Sequence, residues 1–121
     1  MMRRHVLRCI AIVAALGLVA CAEPPATEPV ARGRQLYRAL DCGRCHHIAG
    51  DGGRLGPELT RAGAVAEERR PGSAREYLRQ ALTDPGAYIV PGERDTMPRG
   101  LVLGLSEADL DALVAYLLSL R

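Results

Sequence analysis

An all-α fold in one small domain is what this sequence predicts, and three observations predict it. Three segments carry apolar residues at helical spacing, each preceded by a helix-start signal. No run alternates apolar and polar residues or gathers β-branched side chains as a strand would. The stretches between are rich in glycine and proline, so they read as loops.

The N-terminus reads as a targeting segment. Met1 to Arg8 is basic, and Cys9 to Ala20 is an apolar run too short to span a bilayer comfortably, which takes roughly 20 residues. It ends Leu18-Val19-Ala20-Cys21, which resembles the bacterial lipobox, where the cysteine is diacylated and becomes the new N-terminus. The reading is a lipoprotein-type signal peptide over residues 1–20 and lipid attachment at Cys21. Ordinary signal-peptidase cleavage near Ala20 or Ala22 and an uncleaved anchor are the alternatives. Residues 21–29 form a proline-rich linker whose extended conformation, at about 3 Å per residue, holds a domain over residues 30–121 at most 20–25 Å from the lipid.

Processing changes the charge. Removing 20 residues leaves 101, and Arg3, Arg4 and Arg8 go with them, so 13 arginines face 14 acids. The formal +2 of the whole chain therefore gives no argument for nucleic acid. There is no lysine, which is uninformative. About 100 residues with no Phe or Trp and four Tyr make a marginal core.

The first helix is expected from Pro29 to Leu40, started by Thr27 or Glu28, with Val30, Gly33, Tyr37 and Leu40 on one face. Gly33 costs roughly 1 kcal/mol there relative to alanine, so close approach of another backbone is the expected reason for it. Cys42-Gly43-Arg44-Cys45-His46 follows. Cys-x-x-Cys-His is the attachment signature of a c-type haem: both thiols add to the vinyl groups of one porphyrin, and the histidine becomes the proximal iron ligand. A buried porphyrin would also supply the apolar surface the core lacks.

Two other readings of the cysteine pair exist. Half a zinc site would need two more ligands at metal spacing, which His47 and the distant cysteines do not provide. A thioredoxin-like dithiol is expected near a βαβ pattern, which is missing here. With Cys9 removed, Cys21 on lipid and Cys42 with Cys45 on haem, no pair is left for a disulfide.

Ile48 to Gly63 reads as a loop, and Ala64 to Gly72 as a solvated loop or frayed turn. Ser73-Ala74-Arg75-Glu76 is a capping-box pattern opening the second helix, whose apolar face is Tyr77, Leu78, Ala81 and Leu82 and which ends at Asp84-Pro85-Gly86. Ala87 to Gly104 is a loop long enough to imply a function. Met97-Pro98 lies in it, with a thioether suited to the sixth iron position; methionine opposite histidine raises the potential and suits electron transfer. Ser106 caps the last helix, with Leu110, Leu113, Val114 and Leu117 as its stripe and Tyr116 and Leu120 beside it.

In order, these pieces resemble a class I cytochrome c of the small bacterial single-haem type, over about Val30 to Leu120. Gly33-Arg34-Gln35-Leu36-Tyr37 resembles the Gly-x-x-x-aromatic helix before the haem motif. Leu55-Gly56-Pro57-Glu58-Leu59 resembles the family's Gly-Pro-x-Leu segment. Tyr77-Leu78 through Asp84-Pro85 to Met97-Pro98 resembles its distal half, and Leu105-Ser106 through Tyr116-Leu117 its closing helix. The resemblance implies helices and loops wrapped around one covalent haem c, with N- and C-terminal helices crossing at Gly33 and Tyr116. It implies that Pro57 accepts the Nδ1 proton of His46, a contact that raises the basicity of the ligand, and that Met97 is the distal ligand. Tyr37, where phenylalanine is common, is packing.

His47 is the competitor for the sixth position. Adjacent to His46, it does not easily reach the opposite haem face, so it is expected as an exposed neighbour. Arg54, Arg61 and Arg99 are candidates to pair with the propionates. The function expected is a non-enzymatic, one-electron carrier of the periplasm or the outer face of the cytoplasmic membrane, lipid-anchored, serving a respiratory, photosynthetic or dehydrogenase partner. The alternatives are an open-site haem sensor or enzyme, and an envelope thiol oxidoreductase using Cys42 and Cys45.

Overall fold

Two helices far apart in sequence frame the domain: α1, Pro29–Ala39, and α4, Glu107–Ser119, pack against each other more extensively than any other pair of elements. Between them the chain forms a 3-10 turn, Cys42–Arg44, a two-residue hairpin of β1, His47–Ile48, with β2, Asp51–Gly52, and the helices α2, Ala62–Arg69, and α3, Ala74–Thr83. The computed structural model describes residues 28–121. The expected signal peptide, Cys21 and the linker up to Thr27 lie outside the described residues. Among the described residues no helix is long and apolar enough to cross a membrane.

Glu28 caps α1. Its carboxylate accepts from the amides of Val30 and Ala31 at 3.0 and 2.8 Å, which holds its pKa below the ordinary carboxylate range, and Pro29 takes the first helical position. Gly33 and Leu36 are buried, with Val30, Tyr37 and Leu40 partly so. A Cβ on Gly33 would overlap the carbonyl oxygen of Ala112 and come 2.6 Å from Cβ of Tyr116. The glycine is what lets α1 and α4 touch backbone to backbone. Tyr37 and Tyr116 meet edge to face across the crossing at 5.6 Å, and Arg32 Nε lies 2.8 Å from Asp109 Oδ1.

Ser106 caps α4 as expected, its hydroxyl accepting from the amide of Asp109 at 3.1 Å. Leu113 and Val114 are the largest fully buried side chains among the described residues, and Leu110, Ala112, Tyr116 and Leu117 complete the buried surface of α4. Arg79 on α3 ion-pairs with Glu107 and Asp111 of α4.

Three expectations are corrected. Residues 62–69 are a helix, not a loop, because the face α2 buries is Ala62, Gly63 and Ala66. Small residues make no apolar stripe in a sequence, yet they let the end of α4 come close: the Gly63 amide donates to the Leu120 carbonyl at 2.9 Å. The capping box at Ser73 does not form. Ser73 has φ −139° and ψ 31°, outside the extended region a cap needs, and its side chain makes no cap bond; the turn from Arg70, whose carbonyl accepts from the Ser73 amide, sets that backbone. The stretch after Ile48 opens with a hairpin rather than plain loop. Ala49 at φ 53° and Gly50 at φ 85° are both left-handed, as a two-residue hairpin turn requires.

Candidate functional site

The Cys-x-x-Cys-His segment leaves α1 through Asp41, whose left-handed backbone (φ 55°) turns the chain into the 3-10 turn. The amides of Cys45 and His46 both donate to the Cys42 carbonyl, at 3.2 and 3.1 Å. This winding places the two cysteines on one turn. Both are free thiols and half-buried.

The following loop is stitched back onto that turn. Gly53 N donates to Gly43 O, Leu55 N and Gly56 N donate to Cys45 O, and Leu59 N donates to His47 O, all within 2.8–3.1 Å. These bonds bring Pro57 to His46, whose Nδ1–H donates to the Pro57 carbonyl at 2.8 Å. A carbonyl only accepts, so the proton is on Nδ1 and Nε2 keeps a lone pair for a metal in the neutral ring. Gly56 lies flat against the imidazole: a Cβ there would sit 2.7 Å from Cε1 and 3.0 Å from Nδ1. The Gly56-Pro57 pair thus has a geometric reason, space for the ring and then an acceptor for it.

Burial pushes the Cys42 thiol up from its ordinary value, with the charges of Asp41 and Cys45 adding to the effect. A disulfide oxidoreductase needs the reverse, a thiol lowered toward thiolate at neutral pH. Among the described residues no group of three or more His, Cys, Asp or Glu gathers as a metal site.

Met97 lies in the long loop after α3, half-buried and packed against the core cluster. All the large apolar side chains left exposed among the described residues belong to the two loops that carry Pro57 and Met97: Leu55, Tyr88, Leu101 and Leu103. A histidine with a free Nε2 directly behind two half-buried thiols on one turn suits a porphyrin, so the residues present fit a covalently held haem.

His47 is not the exposed neighbour expected. Its side chain is only 15% exposed, and Nδ1 donates to the Gly53 carbonyl at 3.2 Å while Nε2 lies 3.9 Å from Glu58. Strand β1 directs it into the hairpin. The three arginines considered for propionates divide: Arg61 lies 3.4 Å from Glu68, Arg99 2.8 Å from Asp95, and Arg54 is exposed with no ion pair among the described residues.

The sequence reading passed over the surroundings of Tyr77. Its hydroxyl accepts from Arg69 Nη1 at 2.9 Å, the guanidinium carbons of Arg69 and Arg70 lie 5.9 and 5.8 Å from its ring centre, and Tyr88 meets it edge to face at 5.9 Å. An Arg-Arg pair seven residues before a helical tyrosine was the available signal. A surface depression of about 520 Å³ lies along α1, lined by Arg34, Tyr37, Asp51 and Tyr116 among others. Asp41 and Gly43, on either side of Cys42, also line it, while Cys42, Cys45, His46 and Met97 do not.

Comparison with known proteins agrees with this geometry. The chain is 28% identical over 110 residues to cytochrome c oxidase subunit 2 of Alkalihalophilus pseudofirmus, covering 87% of this chain and 30% of that protein. The chain therefore corresponds to under a third of that relative's length. The family described as Cytochrome c matches residues 30–121, from the first turn of α1 through the end of α4. With its helical shell and its pinned histidine inside that span, the chain belongs to the cytochrome c family, whose members bind an iron-containing c-type haem covalently.

Proposed function

We propose that this chain is a one-electron carrier of the cell envelope and that its redox partner is a cytochrome c oxidase. Cys42 and Cys45 would hold the haem through thioether bonds, and His46 and Met97 would ligate its iron. When bound, the haem supplies a reversible Fe(III)/Fe(II) couple. The protein does the rest. Pro57 fixes the imidazole and strengthens it as a donor through the Nδ1 bond. Met97 presents a soft thioether that favours the ferrous state. The core helices hold both loops in place.

The observation that carries the reading is the His46–Pro57 bond, because it leaves Nε2 as the coordinating atom. The partner rests on the likeness to an oxidase subunit. Location rests on the signal-like N-terminus: Cys21 takes lipid and tethers the domain on the outer face of the cytoplasmic membrane or elsewhere in the periplasm.

The test is spectroscopic. Denaturing gels of membrane fractions should show haem-linked peroxidase staining at the size of this chain, abolished by Cys42→Ala with Cys45→Ala. Oxidised protein should show the weak far-red band of sulfur-to-iron ligation, and reduced protein should resist carbon monoxide. Met97→Ala should reverse both, and His47→Ala neither. Rapid carbon monoxide binding by unmutated protein would mean an open-site sensor or enzyme instead. Free thiols without a haem adduct in the mature protein defeat the reading. Cys21→Ser should release the protein from membranes. Reduced protein should be oxidised by membranes that contain a cytochrome c oxidase, in a cyanide-sensitive way.

A further inference from the structure

Asp95 and Arg99 stand two residues to either side of Met97, and their side chains close on each other, Arg99 Nη2 lying 2.8 Å from Asp95 Oδ2. The backbone between them is thinly held. Pro98 has no amide proton, and among the described residues the amides of Met97, Arg99 and Gly100 donate no backbone hydrogen bond. The nearest such bonds are Thr96 N to Arg94 O at 2.9 Å and Leu103 N to Gly100 O at 3.2 Å. Arg99 also reaches out of its own loop. Its guanidinium covers Gly86, just past the end of α3, so closely that a Cβ on Gly86 would overlap Nη2 and lie 3.2 Å from Cζ. One side chain therefore links the two flanks of Met97 to each other and to the end of the preceding helix.

We propose that Arg99 is a positioning residue: bridging Asp95 and Gly86, it holds the Met97 segment against the end of α3 and sets how often Met97 leaves its ligand position. The inference rests on Met97 being the sixth ligand. An added ligand such as imidazole enters the ferric site only while Met97 is away, so its apparent affinity reads that frequency.

The experiment is imidazole titration of the ferric holoprotein, followed by loss of the far-red band. An exposed ion pair is modest, so Arg99→Gln should raise the apparent affinity about two- to fivefold. Gly86→Ala should do the same without removing any charge, because the new methyl displaces the guanidinium. In the Arg99→Gln background Gly86→Ala should add nothing, since both act through one contact. Raising ionic strength to about 1 M should bring the unmutated protein toward the variants and leave the variants where they are. Hydrogen exchange of the 94–100 amides should speed up in both single variants. Unchanged imidazole affinity in Arg99→Gln and Gly86→Ala, or additive effects in the double variant, overturns the clamp. Those results leave Met97 ligation standing if Met97→Ala alone opens the site. If Met97→Ala instead leaves band and affinity as in the unmutated protein, the ligand reading itself fails.

Discussion

His46 Nδ1 donates to the carbonyl of Pro57 at 2.8 Å, and Gly56 makes that possible by lying flush against the imidazole. A Gly56→Val side chain has no room beside the ring and should push the loop away, breaking the bond. The imidazole then becomes a weaker donor to ferric iron. The potential should rise by up to about 40 mV, the one-electron equivalent of a hydrogen bond worth about 1 kcal/mol. Redox titration of the holoprotein checks this. A fall in potential would mean that the bond does not act through the ligand.

At Gly33 two physical effects predict opposite signs. Helix propensity alone makes Gly→Ala stabilising by roughly 1 kcal/mol. The crossing makes it destabilising, because the methyl would overlap the Ala112 carbonyl. Backbone cannot move aside as a flexible side chain can, so the crossing should win. Gly33→Ala should lose about 1–3 kcal/mol in denaturant unfolding, and Gly33→Val more.

Arg32 beside Asp109 holds that carboxyl below the usual carboxylate range. A lowered acid stabilises the folded state when ionised. The contribution is complete above the ordinary Asp value near 3.9 and is lost as pH falls through the lowered one. The gap in denaturation midpoint between the unmutated protein and Arg32→Gln should be present at neutral pH and close as pH falls below the ordinary Asp range. A gap that persists in acid would assign the effect to packing of the arginine stem.

Burial, with smaller contributions from Cys42, Tyr116 and Asp51, pushes the Tyr37 phenol up to about 12. The contribution of Cys42 vanishes once its sulfur is a thioether; the burial remains. The unfolded chain ionises near 10, so the folded state holds the extra proton between about 10 and 12 and stability falls with rising pH there. Tyr37→Phe should flatten that alkaline fall and remove a late phenol from the ultraviolet titration.

Large, periodic side chains were what the sequence could express. Leu110, Leu113, Val114 and Leu117 repeat at helical spacing behind the Ser106 cap, so the start and the buried face of α4 were legible. The three-residue spacing of Cys42 and Cys45 with His46 behind them left little freedom in reading that turn. What escaped was written in small residues and in pairs. Ala62, Gly63 and Ala66 bury a helix face without the bulk that marks one. Asp95 and Arg99 are ordinary loop charges until the fold brings Gly86 beneath the guanidinium. His47 was expected outside because a residue adjacent to His46 does not easily reach the opposite haem face, but the hairpin offered this second ring a carbonyl of its own.

The crossing of α1 and α4 also sets an order of events. Gly33 gains its neighbours only when residues 112 and 116 exist, so the first helix waits for the last before it can be buried. During synthesis this contact is among the last to become available, because it joins the two ends of the domain. Until then Cys42 and Cys45 sit on a chain that has not yet closed around them, open to the machinery that must join two sulfurs to one porphyrin. The same long-range contact that closes the domain therefore also marks the end of the interval in which its two thiols are freely reachable.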